Sequence, residues 1–303
     1  MSSLTTAGQR MMLRAATARG MSAQVLGGRA ATATKAPTAN SIGVTKLNAA
    51  RSFSASAGGI LKELATENPY KDVVRYEHKN RKWNLQHVDY YSEALAIGFV
   101  ETGLQPGDVI LSWLPAHFSE SMVLQFACSK AGLVLYNLDP SLAITDPDKA
   151  REALASALKL TKANVLISQE AGDDVNYVRL CERVIPEIRY FDFAEGLPFV
   201  TPRFPHLRFP VHTGFDQADK WGMLRYRHFI VPSDNLKDHL AGFTPSDSTP
   251  LLGELVLDAS GVPTSVGKVK TNAEVMEMGG EFSTFNSILK KEFHEVDGVG
   301  VVF

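Results

Sequence analysis

Gly261 and the pair Gly267-Lys268, set among Ser260, Thr264 and Ser265, carry the side chains and backbone freedom needed to hold a phosphate. Glycine lets backbone N–H groups converge on an anion, hydroxyls add donors, and a lysine offsets the charge. The run is a near miss for the Walker phosphate loop, which needs four residues between its glycine and its Gly-Lys pair and a hydroxyl after the lysine. Here five residues intervene and Val269 follows, so that motif is excluded. His117 stands where a helix begins and reads as a cap rather than a base. His294-Glu295 lacks the second histidine of a zinc helix, and Asp173-Asp174 suits the positive end of a helix. The cluster Arg225-Tyr226-Arg227-His228 beside Trp221 has the residue types of a protein interface, with a carboxylate or a lipid headgroup as the alternative contact. Cys128 and Cys181 form no CxxC pair and have no adjacent histidines, so they read as buried thiols and no metal site is expected. Neither a nucleophile elbow nor a glycine-rich dinucleotide loop is present.

The charge is divided unevenly along the chain. Residues 1–59 hold seven Lys or Arg and no acid; the whole chain has 31 basic and 33 acidic side chains, which leaves 24 and 33 in residues 60–303, a net −9. An acidic body argues against nucleic acid as a partner, because phosphate binding needs clustered cations. The Arg-rich, Ser-rich, acid-free segment 1–59 has the composition of a mitochondrial or plastid transit peptide; Phe53 fits the mitochondrial pattern better, and the expected location is the matrix or the matrix side of the inner membrane. Arg51-Ser-Phe-Ser-Ala-Ser56 resembles a matrix-peptidase site, with a mature terminus between Ser54 and Leu61. No apolar run approaches the roughly 20 residues of a spanning helix, so an integral membrane protein is not expected. With 45% hydrophobic and 21% charged residues, the remainder can bury a core.

The elements that must position these residues alternate in type. Leu85, Val88, Tyr91, Leu95 and Phe99 recur at helical spacing up to Gly103, and Pro106-Gly107 turns the chain into an apolar strand over 108–113. A helix over 118–131, apolar on most faces and capped by Gly132, leads to a strand over 133–136. A helix over 148–160, a strand over 164–168 and a helix over 175–185 follow. Helices between short apolar strands predict a layered α/β domain with a largely parallel sheet. Residues 187–250, rich in proline and aromatics, read as loops over a surface. Beyond them the pattern predicts a strand over 255–257, a polar loop over 260–268, a helix over 271–290 and a last strand over 299–303 whose open edge calls for a partner.

Several of these segments carry a resemblance. Trp83-Asn-Leu85, Gly103-Leu-Gln-Pro-Gly-Asp108, Leu114-Pro115 and Ser129-Lys-Ala-Gly-Leu-Val-Leu-Tyr-Asn-Leu-Asp-Pro140 are similar to the amino-terminal part of the acyl-CoA synthetases, members of the AMP-binding, adenylate-forming superfamily. Val184-Ile-Pro-Glu187, Phe204-Pro-His-Leu-Arg208 and His212-Thr-Gly214 resemble the connecting region of the medium-chain branch. The resemblance implies an incomplete adenylate-forming domain over 60–303 and a Ser/Thr/Gly-rich loop that wraps ATP phosphates.

On that alignment Ser260, Gly261, Thr264, Ser265, Gly267 and Lys268 are the remnant of the phosphate loop. It is one residue short, Val266 takes the place of its lysine, and Pro263 removes a donor. The family's later motifs do not follow in this sequence. The resemblance therefore implies a catalytically inactive acyl-CoA synthetase-like protein, with no catalytic residue and no cofactor, that acts as an accessory subunit among other proteins of a mitochondrial complex of respiratory-chain or ATP synthase type. The alternatives are a fatty acyl-CoA ligase using ATP, magnesium and CoA and completed by further sequence or a second chain, and a non-catalytic acyl- or CoA-binding module.

Overall fold

The chain divides into two units, Met1–Ser52 and Phe53–Phe303. The computed structural model describes residues 56–296 apart from 173, 232–239, 241 and 279–282, all within the second unit. Residues 1–55 of the expected address and the strand expected over 299–303 lie outside the described residues.

The hydroxyl of Ser56 accepts from the Gly59 N–H at 3.1 Å and caps helix α1, Ala57–Glu67. Ala57 and Leu61 are fully buried, and the Gly58 N–H donates to Ser129 Oγ at 2.9 Å. Residues 56–59 are thus part of the packed body as well as of the segment read as an address. Strands β1 (Asp72–Tyr76) and β2 (Arg81–Asn84) pair antiparallel. The Asn84 side chain then opens α2 (Leu85–Glu101) through a capping box with His87.

The main sheet follows the expected alternation: β3 (Val109–Trp113), α3 (Ser119–Ala131), β4 (Val134–Asn137), α4 (Leu142–Thr145), α5 (Pro147–Thr161) and β5 (Val165–Ser168). Gly132, at φ +68°, ends α3 as the sequence predicts. A two-stranded hairpin of β6 (Ala171–Gly172) and β7 (Val175–Asn176) precedes α6 (Tyr177–Val184), so that helix is shorter than its apolar pattern suggested. Asp174 sits in the hairpin turn at φ +63°, and it is Asn176 that caps α6, which corrects the reading of Asp173-Asp174 as a helix-opening pair; residue 173 is not described.

The segment expected to be loops contributes two strands to this sheet, β8 (Phe209–His212) and β9 (Leu224–Arg225), both parallel to their neighbours. Phe209-Pro-Val-His is too short and too proline-marked to show strand periodicity, and burial against β5 decides its state. Next come β10 (Pro250–Leu257) and β11 (Pro263–Thr271), an antiparallel hairpin, so the loop expected over 260–268 is mostly strand. The helix expected over 271–290 is two helices, α7 (Asn272–Glu277) and α8 (Ser283–Leu289), and β12 (His294–Val296) pairs parallel with β1.

The sheet order is β11-β10-β4-β3-β5-β8-β9, parallel except at the β10–β11 pair, beside a three-stranded sheet β12-β1-β2. Alternate residues of its strands face two cores. Ile110, Leu135 and Val165 join α1, α2 and α3; Leu111, Tyr136 and Leu166 join α5 and α6. This is the layered, largely parallel α/β architecture expected.

Candidate functional site

The sheet topology itself makes a crevice. From the carboxyl end of β3 the chain turns to α3 on one face, and from that of the adjacent β4 it turns to α4 and α5 on the other. Diverging connections at neighbouring strands leave an opening where α/β proteins bind ligands. The cleft there holds about 480 Å³. Leu114 comes from the end of β3, Gln125 from α3, and Asn137 and Asp139 from the end of β4. Glu254 and Lys270, 3.8 Å apart on the β10–β11 hairpin, close one side. The Asp139 carboxylate is engaged by Ser141, whose N–H and hydroxyl donate at 2.9 and 2.6 Å.

The expected phosphate-loop residues divide between the hairpin turn and its outer strand. Ser260 and Gly261 lie in the turn, with Gly261 against Leu142 of α4; Thr264, Ser265, Gly267 and Lys268 lie on β11, whose backbone pairs with β10. An anion already fills the turn. Asp258 Oδ1 accepts from the Ser260 N–H at 2.8 Å, the Ser260 hydroxyl at 2.7 Å and the Val262 N–H at 3.0 Å. The Ser260 hydroxyl and these N–H groups hold the Asp258 carboxyl below its ordinary range. A phosphate arriving here would meet donors already engaged and a fixed negative charge. Lys268 is ion-paired to Glu274, which in turn accepts from the Thr271 N–H in a capping box of α7, and the exposed Val266 lies opposite Leu255.

His117 is exposed with its ring edge on Phe118, and it makes no cap to α3, which corrects the capping role read from its position. The Arg225–His228 cluster is split by burial. Tyr226 and Phe229 face the core, the Tyr226 hydroxyl donating to the Glu120 carbonyl at 3.0 Å, while Arg227 lies 4.2 Å from the exposed Phe215 ring. Cys128 and Cys181 are both buried free thiols, and burial pushes the Cys181 thiol up to about 12. Among the described residues no group of three His, Cys, Asp or Glu is placed to hold a metal, and no helix is long and apolar enough to cross a membrane.

Two buried titratable groups give no warning in the sequence. Glu120, in the first turn of α3, is buried among Tyr76, Tyr226 and Ser119, and burial raises its carboxyl to about 7. His212, at the carboxyl end of β8, is fully buried; its Nδ1 accepts from the Gly214 N–H at 3.1 Å, and burial, with Lys220 nearby, lowers it to about 4. Their isolated positions in ordinary-looking segments carry no spacing signal; only the packing around them reveals the shift.

Comparison with known proteins agrees with this geometry. Residues 61–193 match the family model described as AMP-binding enzyme. No curated protein matches the chain. Similar solved structures include a luciferase-like enzyme from the nonluminescent mealworm Zophobas morio, 14% identical, with a TM-score of 0.54 over 79% of this chain and 52% of that one. Acetoacetyl-CoA synthetase from Streptomyces lividans, 13% identical, gives 0.57 over 80% of this chain and 38% of that one. The Klebsiella oxytoca NpsA N-terminal subdomain in complex with 3-hydroxybenzoyl-AMSN, 13% identical, gives 0.50 over 82% of this chain and 55% of that one. The chain thus spans between 38 and 55% of the length of these structures. Residues 61–193 thus match the AMP-binding enzyme model, and the layered α/β fold of the described residues is similar to the N-terminal part of adenylate-forming enzymes.

Proposed function

We propose that this chain is a catalytically inactive acyl-CoA synthetase-like protein that serves as a structural accessory subunit of a mitochondrial assembly of respiratory-chain or ATP synthase type. The observation that carries the inactive reading is the Asp258 carboxylate seated on the donors of the hairpin turn. Val266 at the place the resemblance assigns to a lysine, Lys268 held by Glu274, and the β11 backbone committed to pairing with β10 support it further. The acid-free basic segment 1–59 supports mitochondrial import. Exposed Tyr190, Trp221 and Phe215, close in sequence to Arg189 and Arg227, support a docking role for the segment 187–250, since aromatic and arginine side chains anchor interfaces.

The expected result with the purified full chain is no ATP–pyrophosphate exchange above the protein-free rate. Asp258→Ala and Val266→Lys, singly or together, leave it there, because the strand register withholds the remaining backbone donors. Robust exchange by the wild-type chain would sink the inactive reading and put the ligase first, a reading that the open cleft at the ends of β3 and β4 favours. In native gels of mitochondria the protein is expected almost entirely in a band far heavier than its own 33.1 kDa. Its mature terminus is expected at or before Ser56, since a cut beyond it removes the cap of α1 and buried Ala57. Terminal sequencing that starts at Ala57 or later contradicts this.

A further inference from the structure

A concavity of about 570 Å³ lies against α5, α6 and the segment 203–204. Its floor is apolar, with Val184 and Phe204 both buried. Its rim is cationic. Arg151 and Lys159 lie along one stripe of α5, about two turns or roughly 12 Å apart, and Arg183 and Arg203 stand on the other elements. Arg151 is ion-paired with Asp148 yet keeps its buried Nε without a partner, and no ion pair is made by Lys159, Arg183 or Arg203 among the described residues. Four cations against the two acids Asp148 and Glu152 leave this groove net positive in a body whose net charge over 60–303 is −9.

We propose that this groove docks an acidic segment of a neighbouring polypeptide in the assembly. The partner's carboxylates pair with Arg183, Arg203 and Lys159, and one of its apolar side chains rests on Phe204 and Val184. Guanidinium groups favour carboxylate and phosphate partners through their paired donors. The spread of the cations decides between the two: they stand on three separate elements around an apolar floor, whereas a single phosphate spans only a few ångströms, and Glu152 on the same rim opposes a compact, highly charged anion. A peptide places separate single charges along its length and brings its own apolar side chains.

This assignment rests on the bound-subunit reading, and the test separates the two. The full chain and its Arg183→Glu/Arg203→Glu variant are expressed in mitochondria and treated with a zero-length carbodiimide, which joins a lysine amine to a carboxyl in direct contact through an amide bond. The wild type is expected in the heavy band with Lys159 joined to an Asp or Glu of another chain. Reversal of the two charges is expected to cut the fraction in that band about tenfold or more. Both arginines are exposed, so the purified variant should melt with the wild type; if it does not, Arg183→Gln/Arg203→Gln takes its place. Absence of the wild type from any heavy band defeats the bound-subunit reading and the docking site with it. Presence of wild type and variant alike, without the Lys159 cross-link, defeats the docking site alone. Shielding of Lys159 in the purified wild-type chain by inorganic phosphate, or by vesicles of anionic phospholipid, also overturns the peptide assignment.

Discussion

Between about pH 4.5 and 6.5 the wild-type protein is expected to show little change of stability with pH, while Glu120→Gln and His212→Asn tilt it steeply in opposite directions. Glu120 has a folded value of about 7 against an ordinary 4.5, so the folded state holds its proton more tightly than the unfolded chain. Its contribution is complete below pH 4.5 and is lost as the pH rises to 7, about 3 kcal/mol in all. His212 has a folded value of about 4 against 6.5, so the unfolded chain takes up the proton first. Its contribution is complete above pH 6.5 and is lost as the pH falls to 4, again about 3 kcal/mol. The two slopes nearly cancel where the windows overlap. In Glu120→Gln the slope of His212, with a smaller one of the same sign from His228 beside Arg225, is unopposed and stability rises with pH; in His212→Asn the slope of Glu120 dominates and stability falls. Charged neighbours act on both groups: Lys79 and Arg227 favour the ionised form of Glu120, and Glu170 offsets Lys220 and Arg225 at His212. Denaturant unfolding of the three proteins at pH 4.5, 5.5 and 6.5 measures this, and parallel profiles would refute it.

Gly98→Ala is expected to destabilise the body by about 3 kcal/mol or more, the upper end of what overpacking costs. A Cβ on Gly98 would come within 1.7 Å of the Phe229 carbonyl oxygen, which is backbone and cannot rotate away. Relief requires α2 to part from the turn at Tyr226–Phe229, which is also tied to α2 by the bond from the Val231 N–H to the Ala94 carbonyl at 3.1 Å and by the Phe99–Phe229 ring contact at 5.5 Å. For a body of this size the loss corresponds to a melting temperature lower by roughly 6–12 °C. Gly103→Ala is the comparison. Gly103 has φ +82° with open space at its Cβ, so the change costs only backbone strain of about 1 kcal/mol. A Gly98→Ala protein that melts no lower than Gly103→Ala would show that the turn gives way freely.

Asp258 shows why part of the site could not be read along the chain. Its position before Ser260-Gly261 is plain in the sequence as a misplaced negative charge, but the three donors on one of its oxygens arise from the backbone path of the hairpin turn. Lys268 is similar: its charge is local information, while its partner Glu274 is chosen by where α7 leaves β11.

Elements whose cause is local were legible from the sequence alone. The stripe of Leu85, Val88, Leu95 and Phe99, Gly132 at positive φ and the apolar runs of β3, β4 and β5 each draw their state from neighbours within a turn or two, and they sufficed for the α/β class and the N-terminal synthetase resemblance. What only the tertiary structure decided depends on groups distant in sequence. Phe209–His212 becomes a strand because β5 offers it a buried edge, Tyr226 and Phe229 leave the surface because α2 and α3 cover them, and Glu120 and His212 shift because the fold removes their water. Periodicity records the faces of one element, whereas desolvation and hydrogen-bond completion belong to pairs of elements, and the chain order does not state which pairs will meet.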